Sequence, residues 1–258
     1  MRQRMVPIGS GFEMEAQELL APRLAGGSSN VLGKSASLIG LIGTHMCAFT
    51  LSSLMYYTMR SLYFPGQPIA WASFMLHPLM MTVAFGLLAP LGLSAYAGYE
   101  RILNMSHSRA KSTHAVLMAA AAVLGFLGIL DMWLVHSNAA AAQEANGWPV
   151  HFQSAHSCLG AAAFLAFLLQ WGGGAALFLN GSARPALKAA MMPLHVLLGS
   201  FAAFGTLASV VTGVLSLVGN QGRGVEPKFA NLRLVSMLAF LLAGFQALTL
   251  AAKRGRDH

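Results

Sequence analysis

Residues 113–135 read THAVLMAAAAVLGFLGILDMWLV, a run interrupted by one acid, Asp131, and one histidine, His114. A run that long and that apolar can cross the roughly 30 Å hydrocarbon core of a bilayer as a helix. Lipid offers its backbone groups no partner outside the segment, so spans of this kind are helices. Working outward, five more stretches match it, at 36–58, 73–96, 156–179, 193–218 and 232–252. Turn-forming residues separate them: Arg60 through Pro68, Asn104 through Lys111, Gly147-Trp148-Pro149, Asn180 through Pro185, and Gly219 through Pro227. The fold class expected is an all-α membrane protein with six transmembrane helices.

Composition agrees. Of 258 residues, 56% are apolar and 9% charged, against about 25% charged in soluble domains. Mean hydropathy is +0.60. These values exclude an ordinary soluble enzyme and a disordered or collagen-like chain. Cys47 and Cys158 both lie inside apolar stretches, so they define no disulfide framework.

The net charge of +8 raises the question of nucleic acid, but loop position answers it. Arg2, Arg4, Arg23 and Lys34 precede the first span; Arg101, Arg109 and Lys111 follow the second. Arg184 and Lys188 follow the fourth, and Lys253, Arg254 and Arg256 end the chain. All twelve fall on one side of a six-span arrangement, leaving Arg60, Arg223, Lys228 and Arg233 on the other. Both termini are therefore expected in the cytosol, and no nucleic acid is expected. The membrane itself, plasma membrane or endomembrane, is not distinguished. The division expected is a cytosolic leader at 1–35, a membrane domain at 36–252 and a cytosolic tail at 253–258. The leader has no short apolar region near its start, so no cleaved secretory signal is expected. Phe12, Ala16, Leu19, Leu20 and Leu24 share a helical face there, which predicts a short surface helix.

Nine histidines in so apolar a chain need a reason, because ionisable groups inside a membrane are costly. Taking the spans in order, His77 lies about a turn and a half into the second, and His114 starts the third. His156 opens the fourth, and His195 lies near the start of the fifth. Alternate spans run in opposite directions. His77 and His156 therefore lie toward the non-cytosolic face, and His114 and His195 toward the cytosolic face. A lone histidine in a span is more often a hydrogen-bonded core group than a ligand. Four at paired depths on consecutive spans favour axial ligation of haem iron, with one pair on each side and two haems in all. Zinc does not fit, since its four ligands must meet at one point. A proton-relay transporter would bring further acids into the bundle, and Asp131 is the one acid inside these spans.

Four motifs carry these histidines: Leu76-His77-Pro78-Leu79-Met80, Lys111-Ser112-Thr113-His114-Ala115, Ser154-Ala155-His156-Ser157, and Met192-Pro193-Leu194-His195-Val196. Their spacings of 37, 42 and 39 residues, with Leu169-Gln170-Trp171 after the third, resemble the cytochrome b561 family of transmembrane di-haem reductases. The resemblance covers about 73–218, the family's four-helix haem-binding core, within its six-helix plan. It implies two b-type haems, one held by the second and fourth helices and one by the third and fifth. The implied activity carries electrons from cytosolic ascorbate to monodehydroascorbate or a ferric chelate across the membrane. Relatives are often dimeric, so a homodimer is the assembly the resemblance implies.

Site residues carry over individually. Lys111 matches a family lysine at the cytosolic ascorbate site, and Lys188 stands where relatives often have arginine. His107, a turn before Lys111, occupies a position where relatives can carry lysine. Cations there suit an anionic substrate. Arg184 is placed beside ascorbate and Arg101 at the haem propionates, with plain inside-positive charge the alternative for both. On the other face His136 matches a histidine that helps bind the acceptor, with Asn138 assisting. His151, Phe152, Gln153 and Ser154 match a stretch that contacts the outer haem. A cation-free outer loop bearing His136, His151 and Glu144 suits an iron or metal-chelate acceptor at least as well as an anionic radical.

Three departures stand out: an insertion around Ala139–Ala142, Ser216 where some relatives have glutamate, and His45 near Cys47 in the first span. For His45 a hydrogen-bonding or core role is expected, and for Met80, Met81, Met132, Met191 and Met192 packing. Gly172, Gly173, Gly174, Gly199 and Gly205 are expected to admit haem or neighbouring helices. Two alternatives stay open: a di-haem cytochrome with a donor other than ascorbate, and a haem-free transporter using intramembrane histidines.

Overall fold

The computed structural model describes residues 10–142, 151–179, 181, 183–220 and 226–254. Arg2, Arg4, Glu144, Gly147-Trp148-Pro149, Asn180, Arg223 and Arg256 lie outside the described residues. Six helices are long and apolar enough to cross a membrane: α1 (Ser35–Tyr63), α2 (Leu76–Glu100), α3 (His107–Ala139), α4 (Ala155–Leu179), α5 (Pro185–Gly219) and α6 (Pro227–Leu250). The chain is an integral multi-pass membrane protein, all-α among the described residues.

Several helix starts differ from expectation. α3, α5 and α6 begin before the apolar runs at 113, 193 and 232, and α2 begins at Leu76 rather than 73, so His77 is its second residue rather than a turn and a half in. Arg109, Lys111 and Lys188 lower the hydropathy of the first turns of α3 and α5 without opposing helix, since Lys and Arg are good helix formers. His114 therefore lies about two turns inside α3 rather than at its start. The leader differs as well. Helix runs unbroken from Ser10 into the first span, to Tyr57, where the sequence pattern suggested a separate short element.

Residues α2 to α5 form the centre. Ala84, Phe85 and Ala89 of α2 pack with Met118, Ala121 and Ala122 of α3, with Phe164 and Phe167 of α4 and with Ala202 of α5. The Phe85 ring meets Phe164 and Phe167 edge-on at 6.1 and 5.2 Å, a geometry that aromatic quadrupoles favour. α1 and α6 pack together along one flank. A methyl group on Gly40 would strike Thr249, and one on Gly43 the Phe245 ring. Lipid gives helices no hydrophobic reason to associate, so such small-residue approaches supply the contact.

Helix α2 is irregular. It widens into π turns at Thr82–Leu88 and Ala95–Glu100, on either side of Pro90, whose nitrogen donates no hydrogen bond. Thr82 and Ser94 hydroxyls donate to the Pro78 and Pro90 carbonyls at 2.5 and 2.9 Å.

The turn into α2 hangs on Asp131 of α3, which is fully buried. Its Oδ1 accepts the Ala72 N–H at 2.8 Å. Ala72 holds a φ of +55°, uncommon for a residue with a Cβ. The acid expected near the exit of the third span thus ties down the segment that delivers His77. Asp131→Ala would leave the part-buried Ala72 N–H without its acceptor, costing about 1–3 kcal/mol. Expected is a lower melting temperature in detergent, which Asp131→Asn largely restores because its amide oxygen still accepts.

Candidate functional site

Four helices bring four imidazoles together in two pairs. The rings of His77 (α2) and His156 (α4) stand 6.1 Å apart, with planes at 82°. Those of His114 (α3) and His195 (α5) stand 6.5 Å apart at 68°. His77 and His156 are each the second residue of their helix, whereas His114 and His195 lie toward the other end of the core. With metal–nitrogen bonds of about 2 Å and about 1 Å from nitrogen to ring centre, an ion held between two imidazoles keeps their centres about 6 Å apart. Both pairs sit at that separation. Among the described residues no three His, Cys, Asp or Glu side chains converge as a metal cluster. Two nitrogen donors per site suit an iron already held by a macrocycle rather than a bare ion that needs four.

Neighbouring helices orient the rings. His77 Nδ1–H donates to the Gly128 carbonyl of α3 at 2.9 Å. His114 Nδ1–H donates to Gly92 of α2 at 3.0 Å, and His156 Nδ1–H to Ser209 of α5 at 3.0 Å. A proton fixed on Nδ1 leaves the Nε2 lone pair for a metal. His195 differs: its Nδ1 faces the side-chain amide of Gln170 at 2.7 Å.

Glycines make room for two of the rings. A Cβ on Gly213 of α5 would lie 2.8 Å from His156 Cε1, and one on Gly174 of α4 would lie 2.8 Å from His195 Cε1. Gly205 and Gly199 are likewise tight, facing Ala163 and Gln170, whereas Gly172 and Gly173 face open space. Gly213→Ala and Gly174→Ala are expected to displace a ring and to lower haem content by up to one equivalent per chain. Gly172→Ala leaves haem unchanged, and a pyridine haemochrome assay reads the difference. Equal effects at all three positions would contradict the close-approach role.

The end of the core that holds His114 and His195 carries the basic residues. His107 opens α3, exposed, with its Nδ1–H donating to Glu100 at 3.0 Å. The Tyr96 ring lies between His107 and His114, at 5.7 and 5.5 Å. Half-buried Lys111 precedes His114 by one helical turn, and half-buried Lys188 precedes His195 by two. Arg184, exposed, caps α5 through its carbonyl, which accepts from Leu187 and Lys188 at 3.0 and 3.1 Å. Arg101 is half-buried just past α2.

At the other end His136 and His151 come together, ring centres 5.9 Å apart. Trp133 stacks on His151 at 3.6 Å and 8°, and the Ser137 hydroxyl lies 3.4 Å from His151 Nε2. Phe152 adopts a φ of +58° beside the same Trp133 ring, a conformation a bulky residue holds only under constraint. Ser154 caps α4 in a reciprocal box with Ser157. Gln153 and Asn138 are exposed. His45 has both nitrogens engaged: Nδ1–H donates to Leu41 and Nε2 accepts from the Tyr99 hydroxyl, each at 2.7 Å. It has the hydrogen-bonding role expected of it.

The sequence reading missed Trp133, Tyr96 and Glu100. Trp133 lies three residues before His136 on one helix, and that spacing alone puts them side by side. Tyr96 and Glu100 gave no such signal, because their partners lie on another helix.

The family model for eukaryotic cytochrome b561 matches residues 76–218, more than half of the chain and all four paired histidines. The chain belongs to the cytochrome b561 family. Family membership brings b-type haem as the cofactor and leaves the haem-free transporter without support. A probable ascorbate-specific transmembrane electron transporter of Oryza sativa subsp. japonica is 29% identical over 72% of this chain and 74% of its own length. The transmembrane ascorbate-dependent reductase of Sus scrofa is 29% identical over 70% of this chain and 69% of its own. A lysosomal membrane ascorbate-dependent ferrireductase of Homo sapiens is 25% identical over 70% and 69%. The b561 relatives thus cover both electron transporters and ferrireductases.

Proposed function

We propose that this cytochrome b561 is a transmembrane ascorbate-dependent reductase. It oxidises cytosolic ascorbate and reduces monodehydroascorbate or a ferric chelate on the opposite face. The observation that carries the proposal is the pair of imidazole couples, 6.1 and 6.5 Å apart, toward opposite ends of one four-helix core. His77 with His156 hold the outer b haem and His114 with His195 the inner one, two in all. Haem, when bound, supplies a one-electron ferric/ferrous couple; the protein sets ligand geometry, burial and access. Two imidazole donors at each site would leave a bound haem iron no free position for oxygen, which suits electron transfer.

The remaining residues steer substrates. Lys111 and Lys188 place positive charge on the cytosolic face of the inner-pair helices, where an anionic donor docks. His107 and Arg184 add hydrogen-bond donors at the same end, and Arg101 neutralises haem propionate. At the far end His151, Phe152, Gln153 and Ser154 border the outer haem. His136 and His151, ring centres 5.9 Å apart, offer nitrogen donors, with Asn138 beside them. That chemistry suits a ferric chelate at least as well as an anionic radical. Both termini are cytosolic by the distribution of Lys and Arg, and the assembly is a homodimer in the bilayer.

A second reading keeps the cytochrome and changes the donor. It is favoured by Glu100, whose carboxylate engages His107 at 3.0 Å and offsets cationic attraction at that spot. The test uses vesicles of the purified protein loaded with ascorbate and given external ferric chelate. Ferrous product that depends on internal ascorbate is expected. No ferrous product, from protein that dithionite reduces fully, would transfer the case to the second reading.

A further inference from the structure

The four-helix core has an internal repeat in its hydrogen bonds, and one member breaks it. α2 and α3 exchange contacts: His77 reaches a carbonyl of α3, and His114 a carbonyl of α2. α4 and α5 form the matching pair. His156 reaches the Ser209 carbonyl of α5, but His195 finds on α4 the side chain of Gln170. Gly92 stands fifteen residues after His77, and Gln170 fourteen after His156. The amide therefore occupies the level at which the first pair offers a main-chain carbonyl.

The amide is closely held. Its nitrogen lies 2.6 Å from the His195 carbonyl oxygen, to which it donates, and 2.7 Å from His195 Nδ1. Gly199, one turn past His195, leaves the space it fills, since a Cβ there would come within 3.1 Å of the amide nitrogen. Gly174, one turn past Gln170, backs the same ring. An imidazole that gives Nε2 to a metal carries its proton on Nδ1 and needs an acceptor for it. As placed, the amide nitrogen faces both His195 atoms; a half turn about its last side-chain bond exchanges Nε2 for Oε1, which then accepts Nδ1–H in place of the bond to the His195 carbonyl.

We propose that Gln170 is a positioning residue that sets the tautomer and donor strength of His195, and through it the redox equilibrium of the inner haem. The inference rests on the assignment of His195 as an axial ligand. Acceptor strength at Nδ1 controls how much electron density the ring gives the iron, and more donation favours ferric iron. At the other three histidines the nearest acceptor is a backbone carbonyl, with the Ser209 and Thr212 hydroxyls at 3.4 and 3.5 Å from His156 Nδ1. At His195 the partner of Nδ1 is the Gln170 side chain, so a single residue tunes one haem independently of the other.

The test is a spectroscopic redox titration of the purified holoprotein with Gln170→Glu and Gln170→Leu, the inner haem being the one absent from His114→Ala. Gln170→Glu provides a carboxylate acceptor and is expected to shift the inner haem's reduction equilibrium about tenfold toward ferric. Gln170→Leu removes the acceptor and shifts it toward ferrous, while the outer haem stays put in both. If Gln170→Leu lost the inner haem, the ferric shift of Gln170→Glu would still carry the proposal. Shifts of the same sign, no shift, equal shifts of both haems, or loss of the inner haem from both variants would overturn it. A wild-type protein with no inner haem would overturn the ligand assignment itself, a result distinct from variants that keep haem and do not respond.

Discussion

His114→Ala and His195→Ala are each expected to yield a protein with one haem in place of two, retaining the outer centre. His77→Ala and His156→Ala do the reverse. Within each pair the rings face each other at 6.1 or 6.5 Å from different helices, so losing either ring removes half of the axial donor set. The two pairs share no ligand, and the packed layer of Phe85, Phe164 and Phe167 with Ala121, Ala122 and Ala202 lies within the core between their helices. Loss at one end should therefore leave the other end folded. Haem per chain, measured with low-temperature optical spectra of the four variants, checks the result. Retention of both haems in all four would make the pairing wrong.

Removing Lys111 and Lys188 together is expected to slow reduction by ascorbate on the order of a hundredfold or more with haem content unchanged. Each ammonium offers an anion a charge-assisted hydrogen bond, typically about 1.5–3 kcal/mol, and about 1.4 kcal/mol is tenfold. Both side chains are half-buried, which limits screening by salt. They sit one and two helical turns before His114 and His195, which places their charge at the helix-start end of that pair. Stopped-flow reduction of Lys111→Ala/Lys188→Ala reads the effect, and dithionite serves as a control that needs no docking. Unchanged kinetics with ascorbate would remove the donor from that site.

Much of this was legible in the residues. The spans follow from apolar runs, and the grouping of histidines follows from depth, because alternate helices reverse direction. What escaped lies between elements. The carbonyls of Gly92, Gly128 and Ser209 are acceptors whatever side chain they carry, so no residue type announces them. The fit of Gly213 and Gly174 against imidazole rings depends on how α4 and α5 are rotated about their axes, which a one-dimensional pattern leaves open. His151 stacks on Trp133, eighteen positions earlier in the chain, a pairing that neither the i, i+3 nor the i, i+4 helical spacing relates, and Phe152 takes a left-handed backbone there. Asp131 stood out as the one acid inside a span, but its bond to the Ala72 N–H depends on a turn some 59 residues away in sequence. The extended first turns of α3 and α5 were hidden by Arg109, Lys111 and Lys188, which lower their hydropathy.

The central claim is that this cytochrome b561 carries two b haems, each between two of these four histidines, and takes electrons from ascorbate. The most direct measurement is the optical spectrum of the detergent-purified protein before and after ascorbate, with haem quantified per chain. Two low-spin b haems per chain that reduce promptly with ascorbate are the expected result. One haem per chain, or two that reduce with dithionite and not with ascorbate, would contradict it.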